Sequence, residues 1–270
     1  MSGKGIYTAL TGAIAQSKRL DTIANNIANA NTTGFKANKQ VFNEYLTDLE
    51  KDDNSIQFHQ FPASEQSFHD IRAYDRSYVD ANGTYTNIEQ GALQNTNNPL
   101  DLGLEGKGFI EVLTSEGVRF TRNGALKRNV DGFLVTKDGH HVLQENDDKG
   151  LAPEDRKIQL GEQRVTVSYL GEVFSDGQAR GKISMFEAGN FDALAKEGAN
   201  RFRIKKDMDP QLARATSTQT HQGFIERSNV NIVDEMTNMI SATRVFESTQ
   251  DIIKAFDQIN GKLVNDVPKV

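Results

Sequence analysis

Apolar residues recur along the first thirty positions at helical spacing. Ile6, Leu10, Ala13, Leu20, Ala24 and Ile27 fall three, four or seven apart, with Ile14 and Ile23 flanking the same stripe, so residues 6–27 are expected to form an amphipathic helix. The stretch IANNIANANTTGF (23–35) then crowds four asparagines into thirteen positions. Asparagine and threonine compete with the helix for backbone hydrogen bonds, and Gly34 tolerates a left-handed residue, so the helix is expected to end between 29 and 34. The other end of the chain repeats the design at greater length. Asn231 is placed as an N-cap with Asp234 at the third helical position, and Ile232, Met236, Met239, Ile240, Phe246, Ile253, Phe256, Ile259 and Leu263 form a stripe before Pro268. A continuous helix over 232–264 would be about 50 Å long, too long to pack along one small domain over its whole face.

Between the helices the period shortens to that of strands. Residues 101–143 alternate short apolar runs with the turn dipeptides Glu116-Gly117, Asn123-Gly124, Asp131-Gly132 and Asp138-Gly139, which predicts a compact antiparallel meander or small barrel. A second β segment is expected around 157–189, its surest strands over 164–169 and 181–187, and 189–220 reads as loop with short strand pieces. Residues 50–78 are polar, with scattered Phe58, His59, Phe61, Phe68, His69 and Tyr74 and no sustained period, which predicts a long loop, disordered or ordered by a partner. The expected fold is α+β. Residues 1–45 with 228–270 form a terminal helical core packed as a coiled-coil-like layer, 46–81 a linker, and 82–227 a central, mainly antiparallel β domain.

Charge and composition narrow the function. The net charge is −6 and the sequence pI near 5.5, so no basic footprint points to nucleic acid or an anionic membrane surface. The chain has no cysteine, which removes disulfides, thiolate nucleophiles and cysteine–zinc sites together. Its apolar runs are far short of a spanning helix, and the first thirty residues lack the unbroken apolar segment of a cleavable signal peptide, so export would need another route.

Catalytic patterns fare no better. His140 and His141 are adjacent, and strand alternation would point the two rings to opposite faces; His59, His69 and His221 stand apart. The string GLEGKGF (103–109) lacks phosphate-loop spacing and a following helix, and reads as a hairpin turn. Neither Gly-x-Ser-x-Gly nor His-Glu-x-x-His occurs, and EKDDN (50–54) lacks calcium-loop spacing. No cofactor, metal or catalytic residue is therefore assigned.

Neither terminal helix has an obvious core of its own, so mutual pairing, or pairing with other subunits, is the natural way to bury their stripes. The candidate assembly residues are Ile6, Leu10, Leu20, Asn25, Asn26, Ile27, Asn29, Gly34 and Phe35 near the N-terminus, and Ser228, Asn229, Val230, Met236, Met239, Ile240, Phe246, Ile253 and Phe256 near the C-terminus. The asparagines carry two readings: amides that fix register between packed helices, or the marks of a solvated, fraying end. At Gly34, valine is expected to cost about 1 kcal/mol or more and alanine less.

NNIANANTTGFK (25–36) resembles the N-terminal signature of the rod and hook family of flagellar axial proteins, with its paired asparagines and Thr/Ser-Gly-Phe/Tyr-Lys ending. PLDLGLEGKGFIEV with RFTRNGALKRNVDGFLVTKDG is similar to that family's central β domain, and GFIERSNVNIVDEMTNMISATRVFE (223–247) to its C-terminal block. The length resembles a rod protein rather than the longer hook subunit. The opening GIYTALTGA (5–13) looks closer to the proximal-rod type than to the distal-rod type, while 50–80 departs from the family pattern. The resemblance implies a structural, non-enzymatic subunit exported unfolded through the flagellar type III apparatus without a cleaved signal peptide. It implies polymerisation with further copies and with other rod and hook proteins, the terminal helices forming the inner layer of a hollow, torque-transmitting rod in the basal body and the β domain the outer layer. No nucleic acid and no membrane insertion are implied. The alternative is a soluble binding module in which the two helices form an intramolecular hairpin and the β domain meets a ligand.

Overall fold

A computed structural model describes residues 2–47, 76–80, 83–146, 151–161, 164–198, 200–206 and 208–266. The chain divides into two compact units, one of residues 1–25, 39–85 and 233–270, the other of 26–38 and 86–232. The secondary structure is α+β, with a helix at each end, α1 (Ser2–Ala28) and α2 (Ile232–Asp266), and mainly antiparallel strands between them.

In the first unit the helices lie against one another. A methyl group on Gly5 would stand 2.8 Å from the Phe256 ring, which places the start of α1 beside the end of α2. Ala242, nearly three helical turns into α2, is 1% exposed. The two helices therefore meet at Gly5 and Phe256, and α2 is also covered nearer its start. Ala15 is buried to one side; otherwise the covered rows are Ile6, Ala9, Ala13, Gln16, Leu20 and Ile23 on α1, and Met239, Ala242, Phe246, Thr249, Ile253 and Phe256 on α2. Each advances mainly by threes and fours, the 3.5-residue period of a coiled-coil seam. Thr237, Ser241, Thr243 and Thr249 donate their hydroxyls to carbonyls four residues back, so these hydroxyls are satisfied inside the helix.

The stripes expected from the sequence divide between two faces. Ile6, Leu20, Met239, Phe246, Ile253 and Phe256 lie on the covered rows, whereas Leu10, Met236, Ile240 and Ile259 are exposed. In the same unit the strand Asn43–Thr47 pairs antiparallel with Arg76–Asp80, Asn43 opposite Asp80, across part of the stretch expected as a linker. The rest of that stretch, 48–75 and 81–82, lies outside the described residues.

The second unit is built on a nine-stranded sheet. Its spine is the hairpin of Phe109–Thr114 and Gly117–Thr121, extended on one side by Arg201–Ile204 and Leu194–Glu197 and on the other by His141–Val142, Leu134–Thr136 and Leu126–Arg128. Smaller sheets add Val165–Val167 with Glu172–Ser175 and Gln178–Lys182, Gln219–Gln222 with Leu102–Glu105, and Phe224–Glu226 with Leu93–Asn95. The core is aliphatic, with Leu104, Ile110, Val112, Val142, Leu143, Ile158 and Val173 wholly buried. A separate aromatic cluster joins Phe109 and Phe202, whose ring centroids are 5.3 Å apart and nearly perpendicular, with Phe120.

Two local expectations are corrected. Gly117, Gly132 and Gly139 have the positive φ of turn glycines, but Asn123-Gly124 is not a hairpin tip. A Cβ on Gly124 would lie 1.7 Å from the Leu102 carbonyl oxygen, and Leu102 donates to the Gly124 carbonyl at 2.9 Å, so this glycine admits a neighbouring chain. The strand expected over 181–187 is broken: one piece ends at Lys182, Ile183 bridges to Gln144, and a second piece resumes at Met185.

Candidate functional site

The second unit holds the roots of both helices. Beyond Ala28 the chain tightens into turns, with Asn29 N–H on the Asn26 carbonyl and Ala30 N–H on the Ile27 carbonyl, both 3.2 Å. Asn26 is 2% exposed and brackets the returning chain: its Oδ1 accepts from Asn38 N–H at 2.9 Å and its Nδ2 donates to the Asn38 carbonyl at 2.8 Å. At this asparagine the amide is buried and spent on its own chain's backbone, while Ala24, Asn25, Ala28 and Asn31 around it are exposed. Asn25 is exposed, and Asn29 accepts from the Thr32 hydroxyl at 3.2 Å. Gly34, at φ 68°, turns the chain and donates its N–H to the Glu226 carbonyl at 2.8 Å.

Residues 226–230 receive that turn. Asn229 Oδ1 accepts from Ala37 N–H at 2.8 Å while its Nδ2 donates to the carbonyls of Asn87 and Glu89, tying three segments with one side chain. Ser228 Oγ accepts from Val230 N–H at 3.2 Å. Ile27, Ser228 and Val230 are half-buried and Phe35 is buried. A hollow of about 420 Å³ opens beside them, lined by Ala30, Gly91, Ser228, Asn229 and Ile232 among others.

At the centre of this junction sit three charges that the sequence did not single out. Lys36, Arg122 and Glu226 have side chains 1%, 1% and 0% exposed. Glu226 Oε1 accepts from Lys36 Nζ at 2.6 Å and from Gly91 N–H at 2.9 Å. Its Oε2 lies 3.1 Å from Arg122 Nε, an ionic contact without hydrogen-bond alignment. Lys36 Nζ also donates to the Glu89 carbonyl at 2.7 Å, and the Arg122 guanidinium donates to the carbonyls of Gly106 and Gly108. Burial pushes the Lys36 ammonium below its ordinary pKa, against the pull of Glu226; Arg122 is lowered for the same reason. The carboxylate is enclosed by protein groups, so this cluster fixes backbone and leaves no open position for a ligand. Among the described residues no three potential ligands gather around a metal position.

A third cation covers the junction. Lys196 Nζ stands 3.5 Å from the centre of the Phe35 ring and donates to the Lys36 carbonyl at 2.7 Å. Burial lowers its pKa to about 8. The folded protein therefore carries a cost for the charged amine that is present in full below about pH 8 and is relieved as pH rises toward the unfolded value of 10.5. Urea unfolding at pH 7 and pH 9.5 should show the parent gaining stability relative to Lys196→Met across that interval. An unchanged difference would show that Lys196 does not titrate there.

Three segments of the chain match models of known families: "Flagella basal body rod protein" over residues 6–36, "Flagellar hook protein FlgE/F/G D1 domain" over 103–175, and "Flagellar basal body rod FlgEFG protein C-terminal" over 221–266. The chain is 32% identical to the flagellar basal-body rod protein FlgF of Caulobacter vibrioides, over 98% of each chain. The chain belongs to the flagellar basal-body rod protein family. It is also 30% identical to FlgG of Bacillus subtilis over 97% of this chain and 98% of that one, and 29% identical to FlgF of Rhizobium meliloti over 93% and 92%. Relatives of both types thus stand at the same level, and the comparisons carry the family rather than the type. This is a family of structural proteins, and its relatives are basal-body proteins. Lys36 closes the first matched segment, Arg122 lies in the second and Glu226 in the third, so the three segments meet in one buried ion cluster.

Proposed function

We propose that this rod-family chain polymerises through the terminal helices, with further copies and with other axial proteins, into the inner wall of a hollow shaft that transmits torque from motor to hook. One observation carries the proposal. After each helix has buried one row against the other, a second apolar row stays exposed: Tyr7, Leu10 and Ile14 on α1, and Val245, Ile252 and Ile259, seven apart, on α2. A helix that served only an intramolecular hairpin, as in a binding module, needs one apolar face; two faces suit a helix with two sets of neighbours. Export of the unfolded chain through the type III apparatus and a place in the proximal rod, for which the opening GIYTALTGA argues, belong to the same reading.

The lack of cysteine gives a clean test. In cells whose only copy carries Ile252→Cys, basal bodies should yield cross-links from that position to neighbouring subunits, and the thiol should be shielded from maleimide. Ile23→Cys, on the covered row of α1, should give no intermolecular cross-link. An Ile252→Cys thiol that reacts freely in isolated rods would refute the assembly surface.

A further inference from the structure

The buried charges at the junction do not balance. Two cations, Lys36 and Arg122, share one anion, Glu226, and all three are closed off from water. Lys36 follows α1 and Arg122 directly follows the strand Gly117–Thr121; Glu226 comes 190 residues after Lys36, on the last strand before α2. Without Glu226 the two cations would face each other in a water-excluded space, where removing one partner of an ion pair is far more damaging than removing both. The strand that carries Glu226 also offers its carbonyl to Gly34, and Asn229, three residues on, accepts from Ala37. Residues 34–37 also meet Glu89, Asn87 and Lys196, but the carboxylate that offsets the two buried cations comes from the C-terminal strand alone.

We propose that Lys36, Arg122 and Glu226 form a completion latch: the segment following α1 cannot seat on the β unit until the C-terminal strand docks and supplies the single carboxylate, so the roots of α1 and α2 are fixed in one step. The β core can fold earlier, because its hairpin Phe109–Thr114 with Gly117–Thr121 pairs locally. A chain still missing its C-terminus then holds an unseated α1 root. The latch concerns the monomer and stands whether or not the assembly reading holds.

The test is amide hydrogen exchange on the full chain. Glu226→Gln preserves shape and removes the charge. The amides of Gly34, Ala37 and Asn38, all hydrogen-bonded at the junction, should then exchange about a hundredfold faster or more, while those of the Phe109–Thr114 hairpin keep the parent's rates. Adding Lys36→Met to Glu226→Gln removes the surplus cation and should restore most of the protection. In pulse-labelled refolding of the parent, the amides of 34–38 should become protected in the same phase as those of 224–226. Parent-like exchange in Glu226→Gln would overturn the latch. So would a double variant as loose or as unfolded as the single one, since the contact would then act by shape rather than charge. Protection of 34–38 ahead of 224–226 would also overturn it.

Discussion

Gly34→Ala is expected to destabilise the chain by about 3 kcal/mol or more, nearly as much as Gly34→Val. The added methyl would lie 2.6 Å from the Arg122 carbonyl carbon, 2.6 Å from the Asn123 nitrogen and 2.7 Å from the Arg122 oxygen. All three are backbone atoms beside the buried guanidinium, in a segment whose movement would disturb Glu226 and Lys36 together. The left-handed φ of 68° adds about 1 kcal/mol for any residue with a Cβ. The sequence argument, resting on φ alone, made alanine the milder change. The structure corrects that, because the first carbon already collides and the two further carbons of valine add little. Gly12→Ala is the control. It sits in α1 with nothing within 4 Å of the added carbon, so the substitution should stabilise by roughly 0.5–1 kcal/mol through helix propensity. Urea unfolding of both variants decides the matter, and a Gly34→Ala loss below about 1 kcal/mol would mean the close approach to Arg122 is not maintained in solution.

The extent of both helices was legible in the sequence because a 3.6-residue period survives whatever the helix packs against. Which face would be covered was not. A period search follows large apolar side chains, and α2 carries two rows of them one position apart: Phe246 and Ile253 on the covered row, Val245 and Ile252 on the exposed one. The covered rows also include Ala9, Gln16, Ala242 and Thr249, small or polar residues that a hydrophobicity pattern discounts.

The junction was half legible. Gly34, Phe35, Ser228 and Asn229 stood out through motifs, and the structure places them in one cluster. Lys36, Arg122 and Glu226 lie inside the same motifs but carry no mark of burial, since a charged residue is by default solvated. Only tertiary contact across 190 residues shows that Lys36 and Glu226 share one dry space. Asn123-Gly124 failed for a related reason: the dipeptide is a good hairpin signal, but the need for a bare Cα came from Leu102, a neighbour in space.

The two rows of α2 also give the sharpest separation of folding from assembly. Phe246→Asp and Ile253→Asp place a carboxylate in the seam with α1 and should cost the monomer about 3 kcal/mol or more, seen as lost helicity and a lower urea midpoint. Val245→Asp and Ile252→Asp act one position earlier, at side chains 48% exposed in both cases, and should change monomer stability by less than about 0.5 kcal/mol. Helix propensity cannot explain such a contrast, because the same residue type is introduced on the same helix within one or two positions. If the exposed row is buried against neighbours in the rod, the stable pair of variants should nevertheless fail to assemble and leave cells non-motile, for a charge at 245 or 252 would be desolvated only on polymerisation. Circular dichroism and urea unfolding read the first half of the prediction; electron microscopy of basal bodies and swimming assays read the second. Normal rods and swimming with Ile252→Asp would strip that row of an assembly role. Equal loss of monomer stability in all four variants would mean that α2 is covered on both faces within its own chain.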